Sequence, residues 1–140
     1  MLGVEGSNLR LRDIAPVRAP FIPDSESIVE ALRLLNQSRA PALLTTYRGQ
    51  LAVLDRADIE LVLPSSATSL ARYEMPDLVE RVKVREAVRG PAPLLSTNDT
   101  LARAVAIMRE WDWRPVVVVD GHSLYGLLTA GALLTALIKT

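Results

Sequence analysis

The chain has 140 residues, enough for one compact domain, and its 49% apolar and 23% charged content is that of a folded protein rather than a disordered one. Sixteen basic residues balance sixteen acidic ones, so no long-range field favours nucleic acid or anionic lipid as a partner. There is no cysteine and only one histidine, His122, which excludes disulfides, thiolate catalysis and an imidazole metal cluster.

The first dozen residues carry charged and polar groups and no apolar run, so no secretory signal is expected and a cytoplasmic location follows. Ala15-Pro16-Val17-Arg18-Ala19-Pro20 cannot form a regular helix and predicts an extended lead-in. Pro23-Asp24-Ser25-Glu26-Ser27 supplies capping groups, and Ile28, Ala31, Leu32 and Leu35 at helical spacing predict an amphipathic helix ending near Gln37. Pro41 to Thr46 and Leu51 to Leu54, separated by Arg48-Gly49, predict two buried strands. A helix should start at Asp55-Arg56-Ala57-Asp58 and stop at Pro64.

Residues 65–82 form a linker, loop-like at first and amphipathic from Leu70 to Val82, with Pro76 dividing it. The order then recurs: a helix over about Asn98 to Glu110, strands at Val116 to Val119 and Leu124 to Leu128, and a last helix from Thr129. Val116 to Ile138 is long and apolar enough to mimic a membrane span, but Asp120-Gly121-His122-Ser123 interrupts it with turn chemistry, so no membrane is expected.

The recurrence is literal. Leu11-Arg12-Asp13-Ile14, Pro20 and Ile28-Val29-Glu30-Ala31-Leu32 return about 73 residues later as Val84-Arg85-Glu86-Ala87, Pro93 and Leu101-Ala102-Arg103-Ala104-Val105. After a one-residue slip, Pro41-Ala42-Leu43-Leu44 answers Pro115-Val116-Val117-Val118, and Leu51-Ala52-Val53-Leu54-Asp55 answers Tyr125-Gly126-Leu127-Leu128-Thr129. Two copies are too few for an open array but can cover each other's apolar faces. The expected organisation is one module of two repeats, 9–64 and 83–139, related by pseudo-twofold symmetry, with two related clefts.

Laid out in this way, the chain resembles the tandem CBS-domain family, named after the cystathionine β-synthase regulatory region. The resemblance is carried by residues 23–31 before the first strands, by Trp113-Arg114-Pro115-Val116-Val117-Val118-Val119-Asp120, and by Tyr125-Gly126-Leu127-Leu128-Thr129. The linker over residues 67–74 looks like that of small bacterial stand-alone pairs. The resemblance implies an α/β (α+β) fold of two β-α-β-β-α repeats, often assembled as a homodimer. It also implies a sensor without catalytic activity that binds an adenosine compound such as AMP, ATP or S-adenosylmethionine and acts on a separate effector protein.

Nucleotide-binding members use glycine, a hydroxyl and an aspartate at the end of the last strand: glycine for close approach, the hydroxyl and helix start for phosphate, the aspartate for ribose. By the resemblance, Asp58 keeps the ribose role, whereas Asp55 replaces the phosphate-binding hydroxyl with a carboxylate that repels an anion unless Arg56 or another cation compensates. Phe21, Ile22 and Leu43, with Pro20 and Ala42, would complete this cleft. In the second copy Gly126 and Thr129 are present but Ala132 replaces the aspartate, and Leu95 and Val117, with Leu94 and Val116, would line that cleft. The first cleft should therefore prefer adenosine or S-adenosylmethionine to AMP or ATP.

Each of these residues also has a purely structural reading. Asp55 and Thr129 are good N-caps, and Asp58 suits the first turn of a helix. A ligand-free dimerisation or interaction module is the alternative function. Trp113 is expected in the core, Trp111 at the surface, and His122 in a solvated turn. An enzyme is not expected, because no nucleophile with a base, metal cluster or phosphate-cradling glycine loop is present.

Overall fold

The computed structural model describes residues 9–63 and 81–139. Most of the 65–82 linker, including its expected division at Pro76, lies outside those residues. The chain divides into two compact units, Ala19–Pro91 on the one hand and Met1–Arg18 with Ala92–Thr140 on the other. The fold class is α+β, as expected.

In the first unit, helix α1 (Ile28–Ser38) begins where Ser27 Oγ accepts the Glu30 amide at 3.2 Å, and it buries Ile28, Ala31 and Leu35. It ends at Arg39, whose left-handed backbone brings its N–H to the Leu35 carbonyl. Strands β1 (Leu43–Tyr47) and β2 (Gln50–Leu54) form an antiparallel hairpin, and α2 (Arg56–Val62) follows at once. The segment Pro20–Ile22 lies parallel to the outer edge of β1, with Leu44 N–H donating to the Pro20 carbonyl and Ile22 N–H to the Leu44 carbonyl, both at 2.9 Å. The short helix α3 (Val84–Ala87) closes the unit: Val84, Ala87 and Val88 are buried in the same cluster as Ile28, Leu35, Leu43 and Ile59.

The second unit repeats this plan. Strand β3 (Leu94–Ser96) lies parallel to β4 (Val116–Asp120), which pairs antiparallel with β5 (Ser123–Leu128). Helix α4 (Leu101–Glu110) starts after Thr100, whose hydroxyl accepts the Arg103 amide at 3.1 Å. The helix thus starts one short turn after the expected Asn98, whose amide is taken by Ser96 Oγ before the cap. Helix α5 (Ala130–Lys139) ends the described chain. The lead-in of this unit is a 3-10 turn at Leu11–Asp13, with Leu11 buried among Leu95, Leu101, Met108 and Leu133. Packing thus groups each lead-in with the core of the other repeat's helices and strands.

The one-residue slip between the copies lies elsewhere than the sequence alone suggests. Leu44 N–H donates to Pro20 O just as Val117 N–H donates to Pro93 O, so Leu44 and Val117 are equivalent and the spacing is unbroken up to the hairpin. The extra residue is Tyr125, bulged out of β5 between the pairs Val118–Gly126 and Val119–Leu124. The bulge aims the Tyr125 hydroxyl at the lead-in, where it donates within 2.9 Å of the Arg12 carbonyl and 3.1 Å of the Ile14 carbonyl.

Two side chains exchange their expected places. Trp113 is 47% exposed, because it follows α4 in a left-handed turn at φ 61°. Trp111 instead packs on the second core with the Arg114 guanidinium 4.7 Å above its ring. The apolar run from Val116 to Ile138 resolves into β4, β5 and α5, and among the described residues no helix is long and apolar enough to cross a membrane.

Gly126 is the tightest point of this packing. A Cβ there would stand 2.6 Å from Pro16 Cβ and 3.0 Å from the Val17 carbonyl, and its φ of 152° disfavours a side chain in any case. Gly126→Ala should lower stability by about 2 kcal/mol or more in urea unfolding. Gly121→Ala, left-handed but with open space around it, should cost about 1 kcal/mol.

Candidate functional site

The first-unit candidates come from three adjacent stretches of chain. Phe21 and Ile22 lie along β1, Leu43 opens β1, and β2 runs directly into Asp55 and Asp58 at the start of α2. The two aspartates cap the helix reciprocally. Asp55 Oδ1 accepts the Asp58 amide at 2.9 Å, and Asp58 Oδ2 accepts the Asp55 amide at 3.0 Å. An acid at N3 satisfies an amide that would otherwise be orphaned and also complements the helix dipole, so this pairing is self-sufficient locally.

Asp58 has a further partner that the sequence reading did not identify. Its side chain has no exposed surface, and Arg89 Nε lies 2.8 Å from Oδ1, an ion-pair contact whose angle is poor for a hydrogen bond. Burying a carboxylate is costly, and the Arg89 guanidinium offsets part of that cost. Arg56, the compensating cation considered from sequence, points elsewhere and donates to Asn36 Oδ1 at 2.5 Å. The repeat itself carried a signal for Arg89: the residues equivalent to Asp58 and Arg89 are Ala132 and Pro16, so the carboxylate and its cation are present together in one unit and absent together in the other.

Phe21 is 53% exposed, whereas Ile22 and Leu43 are buried in the first core. An open depression of about 500 Å³ begins at Phe21 and Ile22 and continues along Glu26, Glu30 and Arg33 of the α1 region.

In the second unit the candidates serve the fold in visible ways. Thr129 Oγ1 accepts the Ala132 amide at 3.1 Å and so caps α5. The close approach that Gly126 permits is made by Pro16 and Val17 of the same unit. Leu95 is part of the core, and Val117, on the opposite face of the sheet from Val116 and Val118, also has no exposed surface. No group of three or more His, Asp or Glu suited to a metal ion occurs among the described residues.

Comparison with known proteins agrees with this architecture. Residues 84–139 match the CBS domain family. A CBS domain-containing protein of Bacillus anthracis superposes with a TM-score of 0.73 at 20% identity, covering 97% of each chain. One from Kribbella flavida gives 0.70 at 23% identity, covering 93% of this chain and 99% of its own. The protein CBSX2, whose structure is a complex with AMP, gives 0.67 at 22% identity over 94% of this chain and 98% of that one. No curated protein matches the sequence. Residues 84–139 are thus similar to a CBS domain, and the chain as a whole has the α+β fold of these structural relatives.

The Asp58–Arg89 pair can be tested by a double-mutant cycle in denaturant unfolding. Arg89→Met takes a cation away from a buried carboxylate and should cost about 3 kcal/mol. Asp58→Ala frees an arginine that is 40% exposed and can turn to water, so its cost should be nearer the ~1 kcal/mol of a lost cap. The double variant should then be more stable than Arg89→Met alone, with a coupling of about 2 kcal/mol.

Proposed function

We propose that this protein is a non-catalytic CBS-domain regulatory module that binds an adenosine-containing ligand at its first unit. The observation that carries the reading is the fixed acid pair at the start of α2, immediately after the strand that pairs with β1, whose other edge holds Phe21 and Ile22. Asp58 is the group for the ribose hydroxyls, Asp55 stands at the phosphate end, and Phe21, with Ile22 and Leu43 behind it, offers the apolar surface for the base. The AMP complex of CBSX2 supports the ligand class.

Asp55 puts a carboxylate where a phosphate-binding hydroxyl would stand, so the order of preference is adenosine or S-adenosylmethionine ahead of AMP and ATP. The ribose must take Asp58 from Arg89, which costs affinity. The released guanidinium would then be free to offset part of the charge of a phosphate. Gly126, Thr129, Leu95 and Val117 would form the corresponding site of the second unit, weakened by the lack of an acid at Ala132. Assembly as a homodimer, a cytoplasmic location and control of a separate effector chain complete the proposal.

A ligand-free interaction module is the second reading, favoured by the internal partners that already occupy Asp58 and the Thr129 hydroxyl. Thermal unfolding with a panel of adenosine, AMP, ATP and S-adenosylmethionine separates the two. A ligand at about a hundred times its Kd should add roughly 2.7 kcal/mol of stability. S-adenosylmethionine should give the larger shift, and Asp58→Asn should weaken its binding about tenfold or more in calorimetry. Tighter binding of ATP than of S-adenosylmethionine would reverse the charge argument, and no shift with any ligand at millimolar concentration would establish the interaction module.

A further inference from the structure

At the far end of the β1–β2 hairpin from Asp55, an open depression of about 480 Å³ is lined by Asp24, Tyr47, Arg48, Arg85 and Val88. Its volume falls within the range of small-molecule sites. The lining carries two guanidinium groups and one carboxylate. Among the described residues neither arginine side chain has an ion pair or hydrogen bond: Arg48 lies 5.3 Å over the Tyr47 ring, and Arg85 is tied to the fold through its backbone amide, which donates to the Asp24 carbonyl. Asp24 forms no ion pair with either arginine among the described residues, and its Oδ2 accepts the Thr46 hydroxyl at 2.7 Å.

The repeat supplies an internal control. The equivalents of Arg85, Arg48 and Asp24 in the second unit are Arg12, Gly121 and Thr97. Arg12 donates to Asn98 Oδ1 and is thereby satisfied, and Gly121 brings no charge to the hairpin turn. The first unit has therefore lost the neutral partner of one arginine and gained a second arginine beside it.

Arg48 gains its place against backbone preference. Its φ of 49° is left-handed, like that of Gly121 at 63°, and the first position of such a two-residue hairpin turn normally takes asparagine, aspartate or glycine. A long cationic side chain held in a strained conformation is an outlier that points to use rather than to folding. The half-buried Tyr47 ring beneath it limits where the guanidinium can go, which reduces the entropy a ligand must remove.

Two forked donors with no internal acceptor match the oxygens of a phosphate better than a lone carboxylate. We propose that this depression is a second binding site, confined to the first unit, for the phosphate or diphosphate group of a small phosphorylated metabolite. It is separate from the Asp55–Asp58 site and independent of the adenosine reading.

The test is titration of the isotopically labelled full chain with inorganic pyrophosphate, and in parallel with inorganic phosphate, followed by nuclear magnetic resonance. Saturable shifts should centre on Tyr47, Arg48 and Arg85. Arg48→Gln and Arg85→Gln should each weaken pyrophosphate binding about tenfold with dispersed, native-like spectra, while Arg12→Gln should leave it unchanged. Absence of shifts in the millimolar range would overturn the proposal. So would an equal loss with Arg12→Gln, since that is the mark of nonspecific attraction.

Discussion

The pairing of each lead-in segment with the core of the other repeat is the constraint on which the rest of this structure depends. Val84, Ala87 and Val88 complete the apolar cluster built on α1, β1, β2 and α2, and Leu11 completes the cluster built on β3, α4, β4 and α5. Neither core closes on residues contiguous in sequence. The chemistry of each unit is therefore set partly by residues that arrive with its lead-in.

Three consequences follow from that exchange. Arg89 reaches the buried carboxylate of Asp58 because it follows α3. Arg85 joins Arg48 and Tyr47 at the hairpin turn for the same reason. In the second unit, Pro16 and Val17 lie so close to β5 that only glycine fits at position 126, and the bulged Tyr125 donates its hydroxyl to the same lead-in. The lead-in around Arg85 and Arg89 brings charge to the first unit, whereas that around Arg12 to Val17 brings proline, close packing and a carbonyl acceptor to the second.

These differences fall at the positions where the repeat is least faithful. The buried carboxylate of the first unit comes with a guanidinium, and the second unit has neither. Arg48 and Gly121 share a left-handed backbone but differ in everything a ligand would feel. Divergence between copies of one fold, at sites where the backbone is unchanged, locates chemistry that the fold itself does not need.

The helices, the hairpins and the duplication are legible in the amino-acid order, because hydrophobic periodicity, caps and turn residues act over a few neighbouring positions. Ser27, Asp55 and Thr129 are legible as caps for that reason, and Asp55 and Asp58 as a pair. The tertiary structure alone decided which lead-in joined which core, and so that Arg89 rather than Arg56 answers Asp58. It also decided that the slip between copies is the bulge at Tyr125, and that Trp111 turns inward while Trp113 turns out. Such outcomes depend on contacts between residues tens of positions apart, on which local propensity has no bearing.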